Sequence, residues 1–440
     1  IENILLNDIG FIEKLDYNGF LNFVTKGEIK GKDLISLCNS SKKLNQFCNK
    51  SLILPNGQIL DKYLFRLLLD EKGIKLSPGQ NPREVYKQRI IGGKVWAFGD
   101  NEVGKLIANG EGVLLVPTLI PNLNEVIAVS SGAWHSLILN NQGMVLSLGF
   151  NRLGQLGLGD QQPRLIPTLI PNLENIVAIS AGRFHSLVLD NRGKVWSFGL
   201  NENGQLGLGD TSNKNIPVLI PNLDNIIAIS AGEDHSLVLN NQGRVWSFGD
   251  NDSGQLGLGN YQDKLIPTLI PNLENIVDIS AGTFHSLLLD NQGRVWSFGY
   301  NEWGQLGLGD KENRLIPTLI PNLNGIIAIS AGDYHSLVLD NQGRVWSFGD
   351  NELEELCLGD KENRLIPTLI PNLNGIIAIS AGDYHSLVLD NQGRVWSFGY
   401  NELGRLGLGD KASRSIPTLI PNLENVMAIN TGTKFSLVIK

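Results

Sequence analysis

From about residue 92 onward, short apolar runs alternate with turn residues in a constant order. One unit reads IIAISAG (226–232), HSLVL (235–239), RVWSFG (244–249) and, after a loop, IPTLI (266–270). Each run is short, rich in Ile, Val, Leu or aromatics and bounded by Gly, Asn or Pro, which predicts four β-strands per unit. A helical reading fails because no unit holds ten residues of 3.6 period without Gly or Pro. The NNQG sequence between the second and third runs predicts a tight hairpin, since Asn and Gly tolerate positive φ. Pro267 in the fourth run, like Pro217 one unit earlier, places that strand at a sheet edge. Apolar residues on both faces of the first two runs predict sheets sandwiched between neighbouring sheets.

The unit returns every 50 residues without insertion. All six histidines sit at 135, 185, 235, 285, 335 and 385, and Phe435 takes the seventh slot. Residues 308–349 and 358–399 are identical, as after a recent internal duplication. A fixed period of this size means a solenoid, a propeller or an array. Four-stranded units around an axis make a β-propeller. The phase sharpens this. The array starts on third-strand sequence, KVWAFG (94–99), and ends on first- and second-strand sequence, VMAINTG (426–432) and FSLVI (435–439). Six blades are therefore complete, and a seventh must pair residues 94–120 with 426–439, which removes the open edges of a linear stack. The expected fold is all-β, a closed seven-bladed propeller over residues 89–440, with a small α-helical module over 1–88. One blade should be weaker: Leu146 and Leu148 stand where other units have Trp and Phe, a change worth about 1–3 kcal/mol each unless the space is refilled.

Composition changes the picture in two ways. The net charge of −8 divides into +4 over residues 1–91 and −12 over 92–440. An acidic ring is a poor partner for nucleic acid, which needs clustered Lys and Arg. Three cysteines, Cys38, Cys48 and Cys357, cannot staple 440 residues and point to a reducing compartment, cytoplasmic or nuclear. No apolar run approaches a membrane span and no leader opens the chain, so neither insertion nor secretion is expected. The chain opens on Ile and has no Met before Met144, so further sequence is expected upstream.

The unit contains residues that imitate active sites. His and Ser are adjacent in HSLVL, so their side chains point to opposite faces of a strand, and the pair recurs six times with no copy singled out. A catalytic serine needs one assembled triad. The expectation is a structural histidine hydrogen-bonded inside each blade. The GQLGLGD stretch resembles a phosphate loop, but a variable loop and then Pro follow it where a helix N-terminus is required. Gly204, Gly207 and Gly209 instead suit a sharp excursion at positive φ. One copy, ELEELCLGD, has Glu354, Glu355 and Cys357 at positions of Gly, Gln and Gly, which is a poor metal-ligand set. No catalytic residue, metal or cofactor is expected.

More informative are positions that vary while the unit stays fixed. The two residues before each His slot include Trp134, Arg183, Phe184, Glu233, Asp234, Phe284, Asp333, Tyr334, Asp383 and Tyr384. They fall between the first and second strands and should ring one axial face. Aromatics mixed with Arg and acids are the composition of protein-interface anchors. A second variable set, in loops such as 210–215 and 310–315, has the mixed charge of a solvated rim.

The recurring AGxxHSLxL, SFG and GQLGLGD motifs resemble the regulator-of-chromosome-condensation repeat family, over about 350 of the 440 residues. The resemblance implies a seven-bladed propeller that binds proteins. The family's founding activity, guanine-nucleotide exchange on a small GTPase, uses a protruding wedge that strict 50-residue units do not supply. Residues 1–88 are Lys- and Leu-rich, with helical spacings over 32–50 and 61–73. The 32–50 stretch resembles an F-box through Asp33, Leu34, Ile35, Cys38, Ser41, Lys42, Leu44 and Cys48, although the Leu-Pro opening and terminal Trp are absent. That resemblance implies a Skp-type adaptor contacted by Leu34, Ile35, Cys38 and Leu44, and a role as substrate adaptor of a cullin-type ubiquitin ligase. The Asn- and Ile-rich style and the pairing of these modules resemble proteins of large DNA viruses.

Overall fold

The computed structural model describes residues 92–102, 106 and 112–440. The helical module expected over 1–88, with Leu34, Ile35, Cys38 and Leu44, lies outside the described residues. Among the described residues every regular element is a strand. Blade 1 consists of Val126–Ser131, His135–Asn140, Val145–Gly149 and Arg164–Leu169, each antiparallel to the next. Blades 2 to 6 repeat this order, blade 6 ending at Arg414–Leu419. Blade 7 is composite: Ala428–Thr431 and Phe435–Ile439 form its inner half, Val95–Asp100 and Val113–Leu119 its outer half. The join runs in register from Val95↔Ile439 to Gly99↔Phe435. Ring closure thus follows the phase of the repeat. The Pro-bearing strand is outermost in its sheet, where a missing N–H costs no ladder bond.

The core lies between blades. Leu137, Leu139 and Val145 of blade 1 pack against Ile176, Val188 and Phe198 of blade 2, and equivalent apolar slabs separate every neighbouring pair. Each of blades 2 to 7 inserts one fully buried third-strand Phe into its slab, Phe98 serving for blade 7. A buried Phe is worth about 1.5–3 kcal/mol. The innermost strand, expected to be apolar and covered on both faces, is half-exposed, because it lines the axial channel and has no sheet on its inner side.

The histidines correct an expectation. They bond between blades: His135 Nε2 lies 2.8 Å from Ser186 Oγ, and five further pairs link each His to the Ser of the following blade, ending with His385 and Ser436. Ser186 donates its hydroxyl proton to the Gln155 carbonyl, so His135 Nε2–H is the donor. Burial, with the neighbouring His185 charge adding to it, lowers His135 to about 3, which keeps the imidazole neutral. The Gly three residues before each His permits this approach. A Cβ on Gly182 would stand 2.4 Å from the Gly232 carbonyl oxygen and 2.5 Å from the His185 ring.

Two further belts circle the ring. Near the axis, Ser130 Oγ accepts from Ala181 N–H, and the same bond recurs around the ring until Asn430 Oδ1 accepts from Ser131 N–H at 2.7 Å. Near the outside, the GQLGLGD loop clasps the next blade, as where Gly159 N–H donates to the Asn215 carbonyl. A buried Asn and Ser set that loop: Asn151 Oδ1 accepts from Leu156 N–H, and Ser147 Oγ donates to the Leu156 carbonyl. Gly204, Gly207 and Gly209 have φ of 83°, 69° and 84°, as the excursion requires.

The seam between blades 7 and 1 differs. Phe435 occupies the histidine slot, and Ser136 Oγ has no partner among the described residues. Leu148, at the usual Phe position, and Phe435 both belong to this same slab.

Candidate functional site

The connection between first and second strands opens at one end of the axial channel. There Trp134, Arg183, Glu233, Phe284, Asp333, Tyr334, Asp383 and Tyr384 line a cavity of about 570 Å³, with Thr433 and Lys434 completing the rim. Phe184 and Asp234 sit beside it. Phe184 stacks on Trp134 with ring centroids 6.4 Å apart, and Asp234 Oδ1 accepts from Gln205 Nε2 at 3.0 Å. All ten residues singled out by variation therefore gather at one mouth.

Their side chains are not free-standing anchors. The aromatics are half-buried and pack in clusters: Trp134, Phe150 and Phe184 on one side, Phe284, Tyr300, Trp303 and Tyr334 on another, and Tyr384 with Tyr400. Phe150, Tyr300 and Tyr400 follow the third strand and were missed from sequence. The same criterion finds them, because the residue after SFG or its equivalent varies from copy to copy.

Charge at the mouth is dense. Arg183 pairs with Glu233 across neighbouring blades. Burial pushes Glu233 up to about 7, with Arg183 opposing and Asp234 and Asp383 adding to the rise. Burial, then repulsion from Asp383, raises Asp333 well above the carboxylate range; burial raises Asp383 against the pull of Arg405. Arg405 is buried, donates to the Thr433 carbonyl at 3.2 Å and lies over the Tyr400 ring. Lys434 Nζ stands 5.4 Å from the centre of the Trp134 ring.

Away from the mouth, Glu354 and Cys357 keep the left-handed φ of the glycines they replace, 71° and 61°. Cys357 packs in the slab between blades 5 and 6, and Glu354 pairs with Lys361 at 3.8 Å. On blade 3, Asp250, Asp252 and Asp263 bring carboxylate oxygens within 4.8 Å of one another. Asp250 Oδ2 is engaged by Gln255 Nε2 and Asp263 Oδ1 by Asn251 N–H, so those oxygens hold the loop. Among the described residues no helix is long and apolar enough to cross a membrane.

Near-invariant walls and a variable axial mouth define the class: a seven-bladed propeller built as a protein-interaction scaffold. The model of the RCC1-like domain matches residues 90–332 and 224–440, and the chain belongs to that family. Among solved structures it is similar to Prp20p from Saccharomyces cerevisiae, described with its binding to Gsp1p and histones, at 25% identity and TM-score 0.72 over 83% of this chain and 95% of that one. Yeast RCC1 (Prp20) bound to Kap60 gives 23% identity and TM-score 0.73 over the same shares. Human WBSCR16 gives 22% and 0.72 over 79% of this chain and 98% of that one. No curated protein matches the chain.

Proposed function

We propose that the propeller is a non-catalytic docking platform whose axial mouth engages a protein partner. One observation carries the reading. Where units differ in their first-to-second-strand connection, the differing side chains converge on the mouth, whereas the repeated His, Ser, Asn and Phe are buried ties. The solved neighbours point the same way in kind, since Prp20 is described with Kap60, Gsp1p and histones, all proteins. The finer assignment is that residues 1–88 present the bound protein to a cullin-type ubiquitin ligase through a Skp-type adaptor, contacted by Leu34, Ile35, Cys38 and Leu44.

Guanine-nucleotide exchange on a small GTPase is the second reading, implied by the family. Against it, the third-to-fourth-strand connections of blades 1 to 6 are equal in length and carry no inserted wedge. Affinity capture decides between the readings, comparing the full chain, residues 89–440, and the full chain with Trp134, Phe184, Phe284, Tyr334 and Tyr384 changed to Ala. The adaptor reading expects a Skp-type protein and cullin only when residues 1–88 are present, and other partners lost with the aromatics. Capture of a small GTPase whose nucleotide release the protein accelerates would replace it with the exchange reading. Partners retained in full by the five-fold Ala variant would remove the mouth from both.

A further inference from the structure

The lining of the mouth is uneven. Blades 5 and 6 derive from the duplicated stretch, so they set the same pair, Asp333–Tyr334 and Asp383–Tyr384, side by side. Phe284 stands 6.1 Å from Tyr334, and Tyr400 6.4 Å from Tyr384, between ring centroids. This arc is two carboxylates walled by aromatic rings. Asp333 is 8% exposed and its Oδ1 has no hydrogen-bond partner among the described residues; Thr283 bonds the same carboxyl group. Near Tyr384, Glu355 replaces the Gln of blades 1 to 4, is 1% exposed, and leaves Oε1 without a partner.

The cations already present are committed. Arg183 pairs with Glu233, Arg405 donates to the Thr433 carbonyl beside Asp383, and Lys434 lies over Trp134. Among the described residues none forms an ion pair with Asp333. Asp333 lines the cavity, and a buried carboxyl group whose Oδ1 lacks a partner is costly to ionise until a cation enters beside it. Ring faces and carboxylates attract the same kind of visitor, a cation that gives up water.

We propose that the Asp333–Tyr334 and Asp383–Tyr384 arc receives a cationic side chain, the ammonium of Lys or the guanidinium of Arg, from a basic segment of the partner protein. This rests on the docking reading and specifies the partner's chemistry. Two acid–aromatic pairs side by side suit a segment with two such side chains, and the net charge of −12 over residues 92–440 favours its approach. Because Asp333 is raised by its surroundings, entry of a cation expels a proton from the carboxyl, so binding tightens as pH rises. The groups facing Asp333 are Thr283, Glu233, Arg183, Tyr334 and Asp383, with Tyr384 and Arg405 beyond.

The test is calorimetric titration of the full chain with a blocked Ala-Lys-Ala-Lys-Ala peptide, its Glu counterpart, and spermidine. Each is run at pH 6 and pH 8 in two buffers of different ionisation enthalpy. The Lys peptide should bind at least tenfold tighter than the Glu peptide, roughly tenfold tighter at pH 8 than at pH 6, and with proton release. Asp333→Asn and Asp383→Asn should each cut affinity about tenfold, while Glu174→Gln on a distant surface leaves it unchanged. Equal binding of the Lys and Glu peptides, or no proton release by the unsubstituted protein, overturns the proposal even if the Asn variants fail to fold. Spermidine binding as tightly as the Lys peptide overturns the peptide source and assigns the arc to free amines. If the five-fold Ala variant loses its captured partners while no Lys peptide binds, this inference falls and the docking reading stands.

Discussion

Six seams of the ring and the seventh do the same job by different means. At the six, a neutral His donates to the Ser of the next blade and one third-strand Phe fills the slab. At the seventh, the aromatic bulk has moved to the opposite partner: Phe435 replaces the His, Leu148 replaces the Phe, and Ser136 is left without its donor among the described residues. Adhesion between blades combines an apolar fill with polar ties, and the seventh seam lacks the His–Ser tie but keeps the axial bond from Ser131 N–H to Asn430 Oδ1. The seventh seam also borders the one blade whose strands come from both ends of the array.

Removing residues 425–440 should have the largest effect. It strips Phe435, Leu437, Val438 and Ile439 from two slabs. At about 1.5–3 kcal/mol each, the loss rivals the whole stability of an ordinary domain, about 5–15 kcal/mol. Denaturant titration followed by Trp fluorescence should lose its single cooperative transition. An unchanged midpoint would show that closure contributes nothing.

The exchange of bulk across the seventh seam predicts strong coupling. Leu148→Phe alone should cost about 1–3 kcal/mol by overpacking, and Phe435→His alone about 2 kcal/mol by underfilling. The double variant, which restores His and Phe at these two positions, should fall short of the summed cost by about 2 kcal/mol. Additivity within about 0.5 kcal/mol would refute the compensation.

At an ordinary seam, His285→Gln should cost about 1–3 kcal/mol at pH 7.5, from imperfect filling and a lost donor to Ser336. Burial, reinforced by His335, lowers His285 to about 3, against about 6.5 when unfolded. A lowered folded-state pKa means that its neutral form contributes fully above pH 6.5 and that the contribution is lost as pH falls toward 3. The gap between the wild-type protein and His285→Gln should therefore shrink below pH 6.5, by up to about 1.4 kcal/mol per pH unit. A pH-independent gap would mean that the imidazole titrates alike in both states. Smallest, Glu354→Gly should raise stability by about 1 kcal/mol through relief of a left-handed non-glycine residue, read as a shift in denaturation midpoint.

Strand order, edge placement and ring closure were legible because the repeat's phase and the prolines allow one arrangement only. The partner of each His was not, because every copy carries the same Ser, and a bond to its own strand or to the next blade reads identically in sequence. Nor did the sequence show Leu148 and Phe435 sharing one slab, since contact between the first and last blades exists only once the ring is closed. At the mouth, variation located the ten residues, but their half-burial depends on Phe150, Tyr300 and Tyr400, which arrive from a different strand end. The cost of Asp333 was equally invisible, because it arises from burial among neighbouring blades rather than from nearby residues in the chain.

The interval of these ties has a consequence for how the molecule can change. Each His–Ser bond joins a residue to the one 51 positions later, whichever blade it starts from. Copying one unit into the next position, as residues 308–349 and 358–399 record, therefore reproduces a working boundary with no new contact to invent. The ends of the array meet where Val95–Asp100 pairs with Phe435–Ile439 and where blade 7 abuts blade 1, so gain or loss of a blade is judged there.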